Sequence, residues 1–202
     1  MNTSLRAAGA SLPLLALLWG CAADIAPEDT GETPEQTVDE TGTTALEDGS
    51  FLTVVDAQDS LDWVYYAFTA ADEVSPAQPA DSTEWDLAVR RYEIALNGGV
   101  SGTGGVEVAT LAGQDFDALT AAPAEGYVTD LPDADEDGDP EYALGDWFDY
   151  DSGTHVLTPK DQVYAVHGVG GAAYKLQVVD YYSSAGTSGY PKLHWAPLDL
   201  PQ

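Results

Sequence analysis

Five acidic side chains alternate along the segment DADEDGDPE at residues 133–141, and this spacing suits the binding of a hard cation. They are Asp133, Asp135, Asp137, Asp139 and Glu141. Alternating carboxylates can surround calcium with oxygen ligands, and Gly138 at the sixth position permits the sharp turn that wrapping requires. Leu144 stands where an EF-hand loop has glutamate. The pattern therefore predicts an isolated calcium loop, with a solvated acidic loop as the alternative.

Three histidines, His155, His167 and His194, are the imidazole side chains of the chain. Imidazole is a frequent metal ligand, but a histidine on an apolar strand is often a buried residue that a neighbour satisfies. His167 lies on such a strand, where Tyr174 is the expected neighbour. Both interpretations, ligand and satisfied core residue, remain open for His167.

Arg90 and Arg91 form a basic pair in a chain that has 35 acidic and only 6 basic residues. Two adjacent guanidinium groups could clamp an anionic ligand. The alternative is local pairing with acids such as Asp86 or Glu93, and the abundance of acids favours it.

The amino terminus has the organisation of a bacterial lipoprotein leader. Arg6 supplies a positive charge, residues 12–19 form an apolar run too short to cross a bilayer, and Leu-Trp-Gly precedes Cys21. Cys21 is the only cysteine in the chain, so no internal disulfide is expected. We predict removal of residues 1–20, lipidation of Cys21 and anchoring through that lipid.

The formal net charge of −29 limits the classes of partner. A field of this sign repels nucleic acid and anionic membrane surfaces and favours cations. We therefore expect no nucleic-acid partner, and membrane contact through the lipid anchor only.

The composition divides the remaining chain into two parts. Residues 21–50 carry nine acids, no base and no aromatic residue, which predicts a disordered acidic linker. Residues 51–202 hold all eleven tyrosines and all four phenylalanines in short β-branched and aromatic runs punctuated by glycine and proline. This pattern predicts a single, mainly β domain.

Two segments allow strand assignments. In residues 85–96 the apolar parity changes at the arginine pair, which predicts one strand with a β-bulge. In residues 163–179, Gly170-Gly171 predicts a two-residue hairpin turn. That turn would pair Val169 with Ala172, His167 with Tyr174 and Ala165 with Leu176. His167 would then lie on the same face as the odd-numbered apolar residues of the first strand and as Tyr174 and Leu176 of the second strand.

With these segments the chain resembles the HmuY family of haem-binding surface lipoproteins. Residues 83–108 contain a Trp-Asp-Leu-Ala strand, the basic pair and a glycine-rich loop beginning Asn-Gly-Gly. Residues 147–195 contain a Thr-His-x-x-x-Pro segment, a Val-Tyr-x-Val strand, a Tyr-Lys-Leu-Gln strand and Asp-Tyr-Tyr before a glycine-rich turn. The resemblance implies a mostly β fold whose strands form a cleft for haem.

Haem iron accepts histidine, methionine, cysteine or tyrosine as axial ligand. Met1 would leave with the leader and Cys21 would be lipidated. The candidate ligands are therefore His155, His167 and His194, or a tyrosine, and Arg90 and Arg91 are candidate contacts for the propionates.

Catalytic signatures do not occur in the sequence. It has no Gly-x-Ser-x-Gly elbow, no His-Glu-x-x-His motif and no phosphate loop ending in Gly-Lys-Ser/Thr. We expect a non-enzymatic protein that binds haem or a related porphyrin for iron acquisition. It would sit in the outer membrane of a Gram-negative envelope and pass its ligand to a receptor. The alternative is a calcium-stabilised structural or adhesive lipoprotein of the same fold without haem.

Overall fold

The computed structural model describes residues 41–200, and these residues form twelve β-strands with two single 3₁₀ turns at Pro79–Asp81 and Val169–Gly171. The strands are β1 Gly42–Ala45, β2 Phe51–Val54, β3 Val64–Ala67, β4 Asp72–Val74, β5 Leu87–Arg90, β6 Glu93–Leu96, β7 Glu107–Ala112, β8 Phe148–Asp151, β9 Val156–Pro159, β10 Gln162–His167, β11 Ala173–Tyr182 and β12 Ser188–Leu198. The prediction of a mainly β domain is confirmed.

Antiparallel pairing joins the strands into two larger sheets and one hairpin. The six-stranded sheet has the order β1-β2-β12-β11-β10-β7, the four-stranded sheet has the order β4-β3-β5-β6, and β8 pairs with β9 alone. The two long strands β11 and β12 form the centre of the larger sheet. Neighbouring residues of a strand point to opposite faces of its sheet. Each of the two larger sheets therefore turns one face toward the core between them and the other face away from it.

The main core lies between the two larger sheets. The four-stranded sheet contributes Leu87, Val89 and Ile94, each fully buried, and the six-stranded sheet contributes Leu176 and Trp195 among others. Burying these apolar and aromatic side chains supplies the dominant free energy of folding. The fold is therefore a β-sandwich whose core is closed by residues of both sheets.

The opposite face of the six-stranded sheet is covered by the segment that follows β7. Phe116 and Ala122 of this segment are buried, the first against Val163 and Ala196 and the second beside Ala165. We call residues 113–128 the covering segment. Its presence explains why the strand β10 is apolar at nearly every position: both of its faces are buried.

The boundary of the acidic linker was predicted wrongly. Residues 42–45 lie within the range assigned to the disordered linker, yet they form β1 and pair with β2. The Thr43 hydroxyl lies 2.9 Å from the Thr53 hydroxyl and 2.8 Å from the Tyr66 hydroxyl, in a polar network at the core. Strand pairing and these hydrogen bonds order a segment whose composition has little apolar surface to bury. The leader, Cys21 and the rest of the predicted linker lie outside the described residues.

The register of the β10–β11 hairpin also differs from the prediction. His167 pairs with Ala173 and Val166 pairs with Tyr174, so the connection is a five-residue loop and not a two-residue turn. The shift of one residue moves His167 to the face opposite Tyr174. Gly168 permits this loop, because a Cβ added there would lie 2.8 Å from Asp86 Oδ1 and 3.0 Å from the Tyr174 ring.

The predicted β-bulge at the arginine pair is wrong as well. Residues 85–96 contain two strands, β5 and β6, which pair as a hairpin with Arg90 opposite Glu93. Arg91 begins the two-residue turn with φ of 53°, a left-handed conformation that few non-glycine residues adopt. The parity change in the sequence therefore marks a reversal of the chain.

Candidate functional site

The β8–β9 hairpin presents a tyrosine–histidine pair at its exposed end. Tyr150 lies near the end of β8, and His155 follows a tight turn in which Asp151 accepts a hydrogen bond from the Gly153 amide at 2.7 Å. His155 has φ of 59°. Its Nδ1 atom lies 2.6 Å from the Tyr150 hydroxyl oxygen, so the two side chains share a hydrogen bond. The pair offers two iron-binding atoms, the tyrosine oxygen and the second imidazole nitrogen.

Beside this pair is an open cavity of about 350 Å³ lined by Tyr92, Phe148, Tyr150 and Leu157, which we call the tyrosine cleft. Tyr150 and Leu157 face each other across the hairpin. Tyr92 comes from the β5–β6 turn and meets Phe148 edge to face at 5.8 Å. Tyr92 and Tyr150 are about half exposed, at 48% and 54%. Such a surface can bind one face of a flat apolar ligand.

Two hydrogen bonds attach the β8–β9 hairpin and its neighbour Tyr92 to the rest of the fold. The Leu157 amide donates a hydrogen bond to the Tyr182 hydroxyl of β11 at 2.8 Å. Buried Trp147, which precedes β8, donates from its indole nitrogen to the Tyr92 carbonyl at 2.7 Å. These two bonds attach the cleft walls to the core, so the cleft has a fixed base although its rings are exposed.

His167 lies on the covered face of the six-stranded sheet. Its Nδ1 atom lies 3.0 Å from a Glu107 carboxylate oxygen of β7, and its ring stacks on Tyr127 with centroids 3.9 Å apart. The expected neighbour Tyr174 is on the other face. His167 is therefore a partly buried residue whose Nδ1 atom has an acidic partner, whereas its buried Nε2 atom has no hydrogen-bond partner within residues 41–200.

His194 also lies on the covered face. Its Nε2 atom lies 2.9 Å from the Ser50 hydroxyl, and its ring stacks on Phe116 of the covering segment at 3.9 Å. Burial lowers the pKa of His194, and the charges of Asp48 and Asp117 only partly oppose that effect. The neutral imidazole is therefore favoured, and its surroundings are those of a structural contact.

His167 and His194 do not share a common centre. His167 is opposite Ala173 of β11, whereas His194 is opposite Gln177 of the same strand. Four residues along the strand and two strand spacings across the sheet separate their Cα atoms by about 16 Å. Their rings are stacked on different aromatic residues of the covering segment. The structure thus places each of the three predicted histidines in its own environment.

The two arginines have different partners. Arg90 pairs with Glu93 at 2.6 Å and with Asp139 at 3.2 Å, and its guanidinium lies over the Trp63 ring at 4.6 Å. The local-pairing interpretation therefore holds for Arg90, through Glu93. Asp86 has another role: it accepts hydrogen bonds from the Phe68 and Val169 amides.

Arg91 keeps its positive charge uncompensated. Its guanidinium donates to the Gln58 carbonyl and the Ser188 hydroxyl, both at 3.1 Å, and it has no ion pair within residues 41–200. Arg91 immediately precedes Tyr92 of the tyrosine cleft. Of the two predicted propionate contacts, Arg91 is the one whose charge is available.

Three of the five predicted calcium ligands come together. One carboxylate oxygen each from Asp133, Asp135 and Glu141 lie within 4.8 Å of one another, and all three residues are exposed. Several of these oxygens accept hydrogen bonds inside the loop; the two Asp133 oxygens accept from Glu136 and Gly138. Asp137 and Asp139 lie outside this group of oxygens; Asp139 contacts Arg90, and Asp137 accepts a hydrogen bond from the Asp139 amide.

The sequence interpretation missed Tyr92, Phe148 and Tyr150. Phe148 and Tyr150 alternate immediately before an Asp-Ser-Gly-Thr turn, so the sequence carried a signal for a hairpin with both rings on one face. Tyr92 carried none, because only the packing of the β5–β6 turn against β8 brings it there.

Comparison with known proteins gives a family match and structural relatives. The HmuY protein family matches residues 59–195. An apo HmuY analogue from Tannerella forsythia has a TM-score of 0.58 and 15% identity, and the match covers 82% of this chain and 100% of that one. A Bacteroides vulgatus protein assigned as HmuY-like and heme-binding has a TM-score of 0.56 and 20% identity, with 77% and 97% covered.

A Bacteroides fragilis protein assigned as a lipoprotein has a TM-score of 0.55 and 22% identity, with 77% of this chain and 95% of that chain covered. The TM-scores show that these proteins share the fold of this chain. No curated protein matches the chain. Within residues 41–200, the structure has no helix with the length and apolar character needed to cross a bilayer.

Proposed function

Because this chain belongs to the HmuY family, we propose that it is a non-enzymatic lipoprotein of the cell envelope that binds haem or a related porphyrin. The lipoprotein assignment is supported by the Cys21 leader and by the structural similarity to a Bacteroides fragilis protein assigned as a lipoprotein. The outer membrane as location, iron acquisition as role and transfer to a receptor complete the proposal.

The observation that carries the haem proposal is the tyrosine cleft with its Tyr150–His155 hydrogen bond. Tyrosine oxygen and imidazole nitrogen are both ligands of haem iron. The rings of Tyr92 and Phe148 offer apolar surface for the macrocycle, and Arg91 offers a positive charge in an otherwise acidic protein. The residues present therefore fit the group. When bound, haem would supply an iron centre to be carried and would perform no reaction.

His155 and Tyr150 orient each other through the hydrogen bond that joins them. If the Tyr150 oxygen binds the iron, His155 holds the phenol ring in place through the hydrogen bond at its Nδ1 atom. If His155 itself binds through its other nitrogen, Tyr150 orients the ring. Either use places the iron-binding atom at the exposed end of the hairpin, away from His167 and His194.

A haemin titration followed by optical absorption tests this proposal. We expect a saturable Soret change at one haem per chain. Tyr150→Phe and His155→Ala should each weaken binding about tenfold or more, which is about 1.4 kcal/mol. His167→Ala and His194→Ala are the matched controls and should keep the wild-type affinity. If His167→Ala or His194→Ala lowers the haemin affinity instead, the site lies on the covered sheet face. If the wild type gives no saturable Soret change, haem binding is refuted.

A second function, a calcium-stabilised structural or adhesive role without haem, is favoured by the grouping of Asp133, Asp135 and Glu141. Calcium at 100 times its dissociation constant would stabilise the fold by about 2.7 kcal/mol. That free energy should raise the melting temperature in calcium by about 5–10 °C above the melting temperature measured with a chelator. Asp135→Asn should remove the shift, whereas Asp137→Asn, outside the group, should keep it. Equal melting curves with calcium and with chelator would exclude this role.

A further inference from the structure

A second cavity with aromatic walls lies on the outer face of the four-stranded sheet, away from the main core. Its floor is the cross-strand pair Ala88 and Ala95, whose small side chains leave space above the strands. Its volume is about 370 Å³, within the range of small-molecule sites, and it is open to solvent. We call it the outer cavity. The aromatic residues that line it are Trp63, Tyr65, Trp85 and Tyr142.

The aromatic walls of the outer cavity are fixed by their own contacts. Trp63 and Tyr142 meet at 5.8 Å with their planes inclined by 67°, and Tyr65 and Trp85 meet at 5.1 Å with an angle of 70°. The Trp85 indole nitrogen donates to the Pro79 carbonyl at 2.8 Å, so this ring is held in place. Rings at large angles to one another bound a space on several sides, and preformed rings lose little conformational freedom when a ligand binds.

The lining of the outer cavity carries no formal charge within the described residues. The other residues at its wall are small or contain a proline ring: Pro79, Ala80, Ser101 and Pro140. An anionic ligand would therefore meet no basic side chain there. The face of an aromatic ring is negative because of its quadrupole, so the walls attract a cation without any carboxylate in contact with it.

Exposed acidic residues surround the mouth of the outer cavity. They immediately precede three of its four aromatic wall residues in the sequence, and they are Asp62, Glu84 and Glu141. On one side an acidic cavity of about 420 Å³ shares Pro140 and Tyr142 with the outer cavity and also reaches Tyr92 and Phe148 of the tyrosine cleft. The acids that line this neighbouring cavity are Glu93, Asp137, Asp139, Glu141 and Asp146. A field of this sign raises the local concentration of cations.

The charge at Tyr142 has the same sign. Burial first, and then the negative charges of Glu93 and Asp139, raise the pKa of the Tyr142 phenol to about 12. The positive charge of Arg90 opposes the two acids with a smaller effect. A cation beside this ring is therefore favoured by the acids around it.

One cation of the protein already lies on a wall residue of the outer cavity. The Arg90 guanidinium is placed over the Trp63 ring at 4.6 Å, a cation–π contact. Glu93 at 2.6 Å and Asp139 at 3.2 Å pair with this guanidinium, and Arg90 is not among the residues that line the cavity. The positive charge of Arg90 is thus compensated outside the cavity, and the Trp63 ring is in a setting that accepts a cation.

We propose that the outer cavity binds a quaternary ammonium ion of the choline class, one that carries no anionic group. Its methyl groups spread the positive charge over an apolar surface, which packs against the rings of Trp63, Tyr65 and Tyr142. The acids at the mouth attract the ion, and the small floor residues leave room for it. The outer cavity shares no lining residue with the tyrosine cleft, and the proposal does not rest on haem binding.

Titration of the full chain with choline, in the absence of haemin and at low salt, tests the proposal by tryptophan fluorescence and calorimetry. We expect saturable binding of one choline per chain with a dissociation constant of about 0.1–5 mM. The uncharged carbon isostere of choline, in which a tert-butyl group replaces trimethylammonium, should bind at least about tenfold more weakly. Phosphocholine should also bind more weakly than choline, because its phosphate is repelled by the acids at the mouth.

Substitutions of the walls and floor locate the binding site. Trp63→Leu keeps an apolar side chain but removes the ring, and it should weaken choline binding about fivefold or more, whereas Trp63→Phe should recover part of the loss. Ala95→Leu fills the floor and should abolish binding, which keeps the test decisive if Trp63→Leu fails to fold. Tyr190→Leu, at a half-buried tyrosine of β12 outside the cavity, is the matched control and should keep the wild-type affinity.

Four results would overturn the proposal, and each is obtained on protein whose folding is verified by circular dichroism. They are no saturable binding of choline or tetramethylammonium by the wild type, equal affinity for the uncharged isostere, tighter binding of phosphocholine than of choline, and choline binding that Ala95→Leu leaves intact. Because these titrations contain no haemin, their outcome is independent of the haemin titration proposed for the tyrosine cleft.

Discussion

Substitution of Trp195 by alanine should destabilise the folded protein by about 3–5 kcal/mol, the usual cost of removing a large buried aromatic side chain. Trp195 is 1% exposed and stacks on Phe51 with centroids 4.3 Å apart. It also contacts Phe68, which follows β3 of the four-stranded sheet, edge to face at 5.0 Å, and its indole nitrogen donates to the Thr53 hydroxyl at 2.9 Å. The substitution would leave a cavity where the two sheets meet.

Urea unfolding followed by circular dichroism measures this effect. Total stabilities of domains are about 5–15 kcal/mol, so the alanine variant should unfold at much lower urea than the wild type. Trp195→Phe should recover part of the loss, because a ring remains in the cavity. Leu61→Ala, at a side chain that is 82% exposed, is the control and should change stability by less than about 0.5 kcal/mol. A loss below about 1 kcal/mol for Trp195→Ala would contradict the assigned role.

Substitution of Asp86 by alanine should cost about 2–5 kcal/mol, because two buried amide groups lose their acceptor. Asp86 is 2% exposed. One carboxylate oxygen accepts from the Phe68 amide at 2.8 Å and the other from the Val169 amide at 2.7 Å. Phe68 follows β3 of the four-stranded sheet and Val169 lies in the β10–β11 loop, so this carboxylate links the two sheets. Asp62→Ala, at an exposed acid, is the charge-matched control in the same urea experiment.

The pH dependence of the Asp86 contribution has a defined sign. Burial raises the pKa of Asp86, and the two amide hydrogen bonds only partly oppose it. A carboxyl whose folded pKa is raised contributes stability that is present below its ordinary value of 3.8 and is lost as pH rises through the folded pKa. The wild type should therefore exceed Asp86→Asn by more at pH 4 than at pH 7. A difference that grows toward pH 7 would show that the hydrogen bonds outweigh desolvation.

The sequence predicted the features that depend on residue composition or on short sequence motifs. Aromatic and β-branched runs between glycine and proline predicted the mainly β domain, since few other arrangements bury such runs. The motifs in residues 83–108 and 147–195 identified the HmuY family, which matches residues 59–195. Abundant acids near the arginine pair predicted the local pairing of Arg90, which the Glu93 contact satisfies.

Long-range pairing was what the sequence left undetermined. The glycine pair at residues 170–171 suggested a two-residue turn, yet the β10 strand is apolar on both faces, so its pattern did not fix which face meets the core. The structure fixes it, because Asp86 of another sheet accepts the Val169 amide and the covering segment buries the second face. In the same way, β1 is ordered by partners that come from elsewhere in the chain.

The sequence by itself determined the supply of functional groups: three histidines, a pair of arginines, an acidic loop and a surplus of aromatic rings. Tertiary structure decided which of these groups meet. It stacked His167 and His194 under the covering segment, joined His155 to Tyr150, and brought Tyr92 to Phe148 from a distant turn. The physical reason is that a site is made by contacts between strands far apart in sequence, and the register of each strand is set by the faces that the whole sandwich buries.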